Sequence, residues 1–268
     1  MSQIIMQPQN GKRTVVSNMV KWLLGVSFAV CTFLAHSGEI KVAVAANFKT
    51  TAQIITENFQ QKTGHKVTLI TASSSALANQ IFHDAPYDIF LSADLSRPQW
   101  LIKNNKADAN SLILYATGQL AFFSQKYSVA SLEDLKNTLK LQTGKLAIAN
   151  PKFAPYGKSA KELISSLGIN DALVNKLVLG NNVIQALQFV QSANAESGLV
   201  SVSQLLESGA EQHYFIIPKQ LHSPINQFAV LTNHGKNNQL AKQYLDYLTQ
   251  DSKTVISNKG YLTGVNND

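Results

Sequence analysis

From Ile40 onward the chain alternates short apolar runs with longer segments of helical period, and this alternation most constrains its fold. Ile40 to Ala46 reads IKVAVAA, a β-branched and small-residue run suited to a buried parallel strand. It ends at Asn47, placed to cap a helix over Phe48 to Thr63, with Ala52, Ile55 and Phe59 on one face and Gly64 as its stop. Lys66 to Ala72 predicts a second strand, followed by Ser73-Ser74-Ser75 and a helix with Leu77, Ile81 and Phe82 as its apolar side. Tyr87 to Leu91 predicts a third strand, closed by Ser92-Ala93-Asp94; Asp88 and Asp94 flank its end, and a helix begins near Ser96. Further strands are expected at Leu120 to Ser124, Leu146 to Ala149, Leu177 to Leu179, Leu199 to Val202, Tyr214 to Ile217 and Gln227 to Leu231. Such alternation predicts an α/β fold with mixed, mostly parallel sheets.

There are more strand units than one compact sheet uses. The last helical segment, Asn238 to Asn258, carries Leu240, Tyr244, Leu245 and Leu248 on one side and suits the first sheet. Two lobes are therefore expected. The first spans 38–117 plus 226–268 and the second 118–225, joined by a two-strand hinge with a ligand cleft between them.

Residues 1–37 read as a signal peptide. Lys12, Arg13 and Lys21 precede the uncharged apolar stretch Trp22 to Leu34, and Ala35-His36-Ser37 offers small residues for cleavage. That stretch is shorter than the ~20 residues needed to span a bilayer. Cleavage after Ser37 removes Cys31, the single cysteine of the chain, so the mature protein has no disulfide, thiolate metal site or cysteine nucleophile. It also lowers the formal charge from +7 to about +4, with basic residues interleaved among acidic ones, which excludes a nucleic-acid footprint. The expected location is the periplasm.

In open α/β sheets ligands bind beyond the carboxyl ends of the strands, where helix N-termini present unpaired N–H groups and a positive dipole end. Asn47 and the serine triplet occupy two such places. Three serines in a row supply hydroxyl and backbone donors at one point, which suits a small oxyanion; helix capping alone accounts for the same residues equally well.

Four segments carry a resemblance over nearly the whole mature chain: Val44-Ala45-Ala46-Asn47-Phe48; Ala72 to Ala78 with Gln80-Ile81; Ala85 to Asp94; and Ala149-Asn150-Pro151 with Ala154-Pro155-Tyr156-Gly157 and Ala160-Lys161-Glu162. Their order resembles the periplasmic molybdate-binding proteins of ABC transporters, which have the two-lobed periplasmic-binding-protein fold. The resemblance implies a bound molybdate or tungstate, no cofactor, no direct metal ligands, a monomer, and delivery to a membrane permease. It implies ligand contacts from Asn47, where many members have serine, and from Ser74. In the second lobe it implies the backbone N–H groups of Tyr156 and Val183, and a contact from Ser201. Many members have tyrosine at that last position, so Ser201 is short for the contact, and the Tyr156 hydroxyl is a candidate to replace it. None of these residues is Lys or Arg. Neutral donors suit a fully deprotonated dianion, and a cavity sized for molybdate leaves sulfate with stretched hydrogen bonds.

Two other functions stay open at this level. Another tetrahedral oxyanion, such as sulfate, would use the same fold and loops. An exported hydrolase would need Ser74 as nucleophile, but no G-x-S-x-G surrounds it. His65, His83, His213, His222 and His234 lack metal-ligand spacing.

Overall fold

The computed structural model describes residues 1–4, 38–209 and 214–264. The chain divides into two compact units, Met1–Ser37 and Gly38–Asp268. Within the first, the described residues 1–4 form no regular element. The expected signal sequence, Cys31 and His213 lie outside the described residues.

The second unit opens with β1 (Glu39–Ala45), a 3-10 turn (Ala46–Phe48), α1 (Lys49–Thr63), β2 (Lys66–Ala72), α2 (Ser74–Phe82), β3 (Ile89–Ser92) and α3 (Ser96–Lys103). β4 (Ile113–Gly118), β5 (Leu120–Ser124), α4 (Leu132–Leu141), β6 (Leu146–Ala149), α5 (Pro155–Ser166), α6 (Asn170–Leu173), β7 (Leu177–Gly180) and α7 (Val183–Gln191) follow. The chain continues through β8 (Ser197–Ser201), α8 (Val202–Glu207), β9 (Tyr214–Ile216), β10 (Ile225–Leu231), α9 (Gln239–Asp246) and α10 (Lys253–Asn258).

The strands form two five-stranded sheets, ordered β2-β1-β3-β10-β4 and β7-β6-β8-β5-β9. β1 pairs in parallel with β2 and β3, and β6 with β7 and β8. β10 runs antiparallel to β3 and β4, and β5 antiparallel to β8 and β9, so both sheets are mixed. Alternation along β1 explains the layers. Ile40, Val42 and Val44 enter one core cluster with Phe48, Ile55, Phe59 and Tyr244, while Ala43 enters another with Leu77, Ile81 and Phe90. The second sheet has its own core around Phe122, Ile148, Leu163 and Leu199.

The sheets meet where β4 and β5 are separated only by Gln119, and where β10 pairs Ile225 with Gly118. Thr117 and Leu262 exchange two backbone hydrogen bonds of 2.9 Å beside this junction.

Three expectations need correction. β4 is not expected from the sequence, because the run Leu112 to Ala116 has no clear period of 2 or 3.6. The terminal helix is interrupted by a π turn at Tyr247–Asp251, where the N–H and hydroxyl of Ser252 both reach Tyr247 O, at 3.1 and 3.0 Å. Asn47 is not a helix N-cap: it lies inside the 3-10 turn, and Phe48 precedes α1 without a side-chain cap.

Glu196 joins the start of β8 to the loop after β5. Its carboxylate receives Lys126 Nζ at 2.7 Å and both Gly144 N and Tyr127 Oη at 2.9 Å. The Lys126 contact first, then the Gly144 amide, hold its pKa down at about 2. A depressed carboxylate stabilises the fold above its unfolded pKa and loses that contribution as pH falls, here between about 5 and 2. Glu196→Gln should therefore melt below wild type at pH 7, with the gap closing by pH 2; parallel melting curves across that range would contradict this role.

Candidate functional site

A small cavity lies between the ends of the two sheets. Ala45, Ala46 and Asn47 line it from the end of β1, Ser73 and Ser74 from the start of α2, and Ala93 from the loop after β3. Ala154, Pro155 and Tyr156 come from the start of α5, and Asn182 and Val183 from the start of α7. All five loops follow the carboxyl ends of parallel strands, the place that open α/β sheets reserve for ligands.

Local sequence explains the converging helix starts. Ser73 caps α2 by accepting from Ala76 N at 3.3 Å. Pro155 opens α5 at a position where its missing N–H costs nothing. Asn182 caps α7 by accepting from Gln185 N at 3.1 Å, while Gln185 Oε1 accepts from Asn181 N at 2.7 Å. Helix geometry leaves the first-turn amides of Ser74, Tyr156, Val183 and Ile184 without an intrahelical acceptor. The positive dipole ends of three helices thus face one small space. No Lys or Arg lines it. Arg97 is engaged nearby, donating through Nε and Nη2 to Ser75 Oγ and through Nη1 to Asp94.

Side chains add neutral donors. Ser74 is 1% exposed, and its Oγ accepts from Ala93 N at 3.1 Å, which leaves its own proton free to donate. Tyr156 is equally buried, and its hydroxyl makes no well-formed hydrogen bond among the described residues, with the Asn47 carboxamide close by. Burial pushes that phenol well above its usual pKa, neighbouring Tyr261 and Tyr115 add to the shift, and the Asn47 carboxamide opposes it. It is therefore a protonated donor at neutral pH.

Of the residues expected at the site, Asn47, Ser74, Tyr156 and Val183 line the same cavity. Ser201 does not; it is fully buried at the end of β8, with Oγ 3.2 Å from Ser203 Oγ. Asn47 behaves unlike a serine replacement. Its Nδ2 is already committed to Gln227 Oε1 at 2.9 Å and Tyr261 Oη at 3.2 Å. Gln227 and Tyr261 carry no local signal of a site, since both reach Asn47 from 180 or more positions away. Asp88 and Asp94 do not form a pair: Asp88 is 3% exposed and accepts from Lys41 N, Asn238 Nδ2 and His234 Nδ1. Among the described residues no group of three His, Asp or Glu side chains is placed to hold a metal, and no helix is long and apolar enough to cross a membrane.

A sequence model described as "Bacterial extracellular solute-binding protein" matches residues 40–262. The chain belongs to this family. This solute-binding protein is 39% identical to the molybdate-binding protein ModA of Rhodobacter capsulatus over 232 residues, covering 85% of the chain and 90% of that protein. It is 38% identical to the protein of the same name from Azotobacter vinelandii, over 89% and 94% of the two chains. The solved periplasmic molybdate-binding protein of Azotobacter vinelandii superposes with a TM-score of 0.78 at 29% identity, covering 84% of this solute-binding protein and 99% of that chain.

Proposed function

We propose that this protein captures molybdate, or the similarly sized tungstate, in the cavity between its lobes and delivers it to an ABC transporter permease. The observation that carries this reading is the convergence of three helix N-termini and two buried neutral hydroxyls on one cavity with no cationic side chain in its wall. Such a wall gathers neutral donors without a cationic side chain, which suits a fully deprotonated dianion. The names of the relatives at 38–39% identity support the choice of ion. In this reading the ligand is held by Ser74 and the Asn47 turn from one lobe, and by Tyr156 and Val183 from the other. Ser201 supports the wall from behind instead of touching the ion.

The lobes are residues 38–117 with 226–268, and 118–225. The anion bridges them and so favours the closed arrangement. The Ser75 N–H to Phe153 O hydrogen bond of 3.4 Å is one contact that closure would make. Residues 1–37 direct export and are removed, and the protein works as a monomer in the periplasm. Binding without turnover is favoured over hydrolysis because Ser74 Oγ meets a backbone amide, with no histidine in the cavity wall to activate it.

A thermal-shift panel with molybdate, tungstate, sulfate and phosphate tests the reading. Ligand at 1,000 times its Kd adds about 4 kcal/mol, or about 8–16 °C for a domain of this size. Molybdate and tungstate should produce that shift; a shift with sulfate and none with molybdate would overturn the assignment. Tyr156→Phe should weaken molybdate about tenfold or more, the worth of one charge-assisted hydrogen bond. Unchanged affinity in that variant would remove the hydroxyl from the site.

A further inference from the structure

Tyr261 does not line the cavity, yet its hydroxyl bonds both the backbone and the side chain of Asn47 in the cavity wall. It is 2% exposed, with its ring edge-on to Phe48 at 5.2 Å. Its hydroxyl donates to Asn47 O at 2.7 Å, accepts from Asn47 Nδ2 at 3.2 Å and lies 3.0 Å from Ser203 Oγ. The other Nδ2 hydrogen of Asn47 reaches Gln227 Oε1 at 2.9 Å, and Gln227 is itself anchored through Nε2 to Ile225 O at 2.8 Å.

The shortest contact fixes where the Tyr261 proton goes. A phenol has a single proton, and here Asn47 O takes it at the shortest distance in the cluster. Tyr261 Oη then accepts from Asn47 Nδ2, and Ser203 Oγ, 3.2 Å from Ser201 Oγ, reaches both Tyr261 Oη at 3.0 Å and Asn47 O at 3.3 Å. The cluster joins Ser201 and Ser203 to Asn47, both through Tyr261 and by the direct Ser203 contact. Its ends belong to the two different sheets: Asn47 in the turn after β1, Ser201 and Ser203 where β8 passes into α8. Gly260 allows this approach, because a Cβ there would stand 2.9 Å from side-chain carbons of both Val202 and Leu206.

We propose that Tyr261 is a positioning residue of the oxyanion cavity, holding the Asn47 turn by backbone and side chain and tying it to Ser203 of the opposite lobe. Removing one hydroxyl that never touches the anion then loosens the anion. This rests on the oxyanion reading above.

The test compares wild type, Tyr261→Phe, Ser203→Ala and the double variant by calorimetry and stopped-flow dissociation, with molybdate, tungstate and sulfate as probes. The ion that wild type holds most tightly becomes the reference, and ligand-free melting with near-UV circular dichroism confirms folding. Tyr261→Phe should raise Kd about tenfold, through faster dissociation, and Ser203→Ala about threefold. The double variant should stay within about twofold of Tyr261→Phe, because both changes cut the same cluster. A Kd for Tyr261→Phe within about twofold of wild type, or effects that multiply in the double variant, overturns the proposal. If Tyr261→Phe fails to fold, Ser203→Ala decides alone: an unchanged dissociation rate overturns it. Wild-type binding with unaffected variants rejects only the role of Tyr261, whereas wild type that binds none of the three ions rejects the oxyanion reading and this proposal with it.

Discussion

Replacing Gly157 with alanine is expected to lower the melting midpoint by about 6–12 °C and to weaken oxyanion binding at least tenfold. Gly157 is the third residue of α5, directly after Tyr156. A Cβ at this position would stand 2.1 Å from Ala149 O and 2.7 Å from Ala149 C. Both are backbone atoms at the end of β6, so no rotamer change relieves the overlap. The helix start must retreat from the sheet, at a cost of about 3 kcal/mol, the upper part of the overpacking range. That retreat carries the Tyr156 amide away from the cavity, and a hydrogen bond to a charged ligand is worth roughly 1.5–3 kcal/mol. Calorimetry of unfolding and of binding measures the two effects separately. A midpoint within about 2 °C of wild type would mean that the approach of α5 to β6 is looser than 2.1 Å implies.

The second large effect is a suppressor pair at the junction of the lobes. Gly118 ends β4, and a Cβ there would meet Tyr156 Oη at 2.1 Å, Tyr156 Cζ at 3.0 Å and Gln227 Nε2 at 3.2 Å. Tyr156 is buried and cannot swing into solvent. Gly118→Ala should therefore cost about 2 kcal/mol and displace the ring that forms part of the cavity wall. Tyr156→Phe deletes the atom responsible for the worst contact. In the Gly118→Ala background it should restore most of the lost stability, although in the wild-type background no such gain is expected. A gain in stability in one background that is absent from the other is the signature of direct contact. A double variant less stable than Gly118→Ala alone would show that the hydroxyl and the glycine do not oppose each other.

Much of this molecule was legible before folding. The strands at Lys66 to Ala72, Leu120 to Ser124 and Leu146 to Ala149 appear with the bounds that their apolar runs suggested. The stop at Gly64 is the left-handed residue, φ 72°, that ends α1. The starts of α2 and α7 were readable from Ser73 and Asn182, whose side chains satisfy amides three residues on. β4 and the π turn were not readable, because an apolar run without period, and a serine competing for a distant carbonyl, look alike in many folds. At the cavity the neutral character of the wall was anticipated, and so was the gathering of Asn47, Ser74, Tyr156 and Val183. The role of Asn47 was not. An asparagine before a helix suggests capping or direct donation, whereas here its amide protons are consumed by Gln227 and Tyr261.

By itself, then, the sequence determined what local rules govern: which segments form strands and helices, where helices begin with free amides, and that neutral donors would gather at those helix starts. Propensity, capping and period act within a few residues, so they survive without knowledge of the rest of the chain. Only the tertiary structure decided which donors remain free. Tyr156 keeps a hydroxyl without a well-formed hydrogen bond because Gly118 leaves room for it, and Ser201 is drawn off to Ser203. Asn47 is held by a tyrosine 214 positions away. Hydrogen-bond protons are a conserved quantity within a buried cluster, and how they are shared depends on every group that the fold brings there.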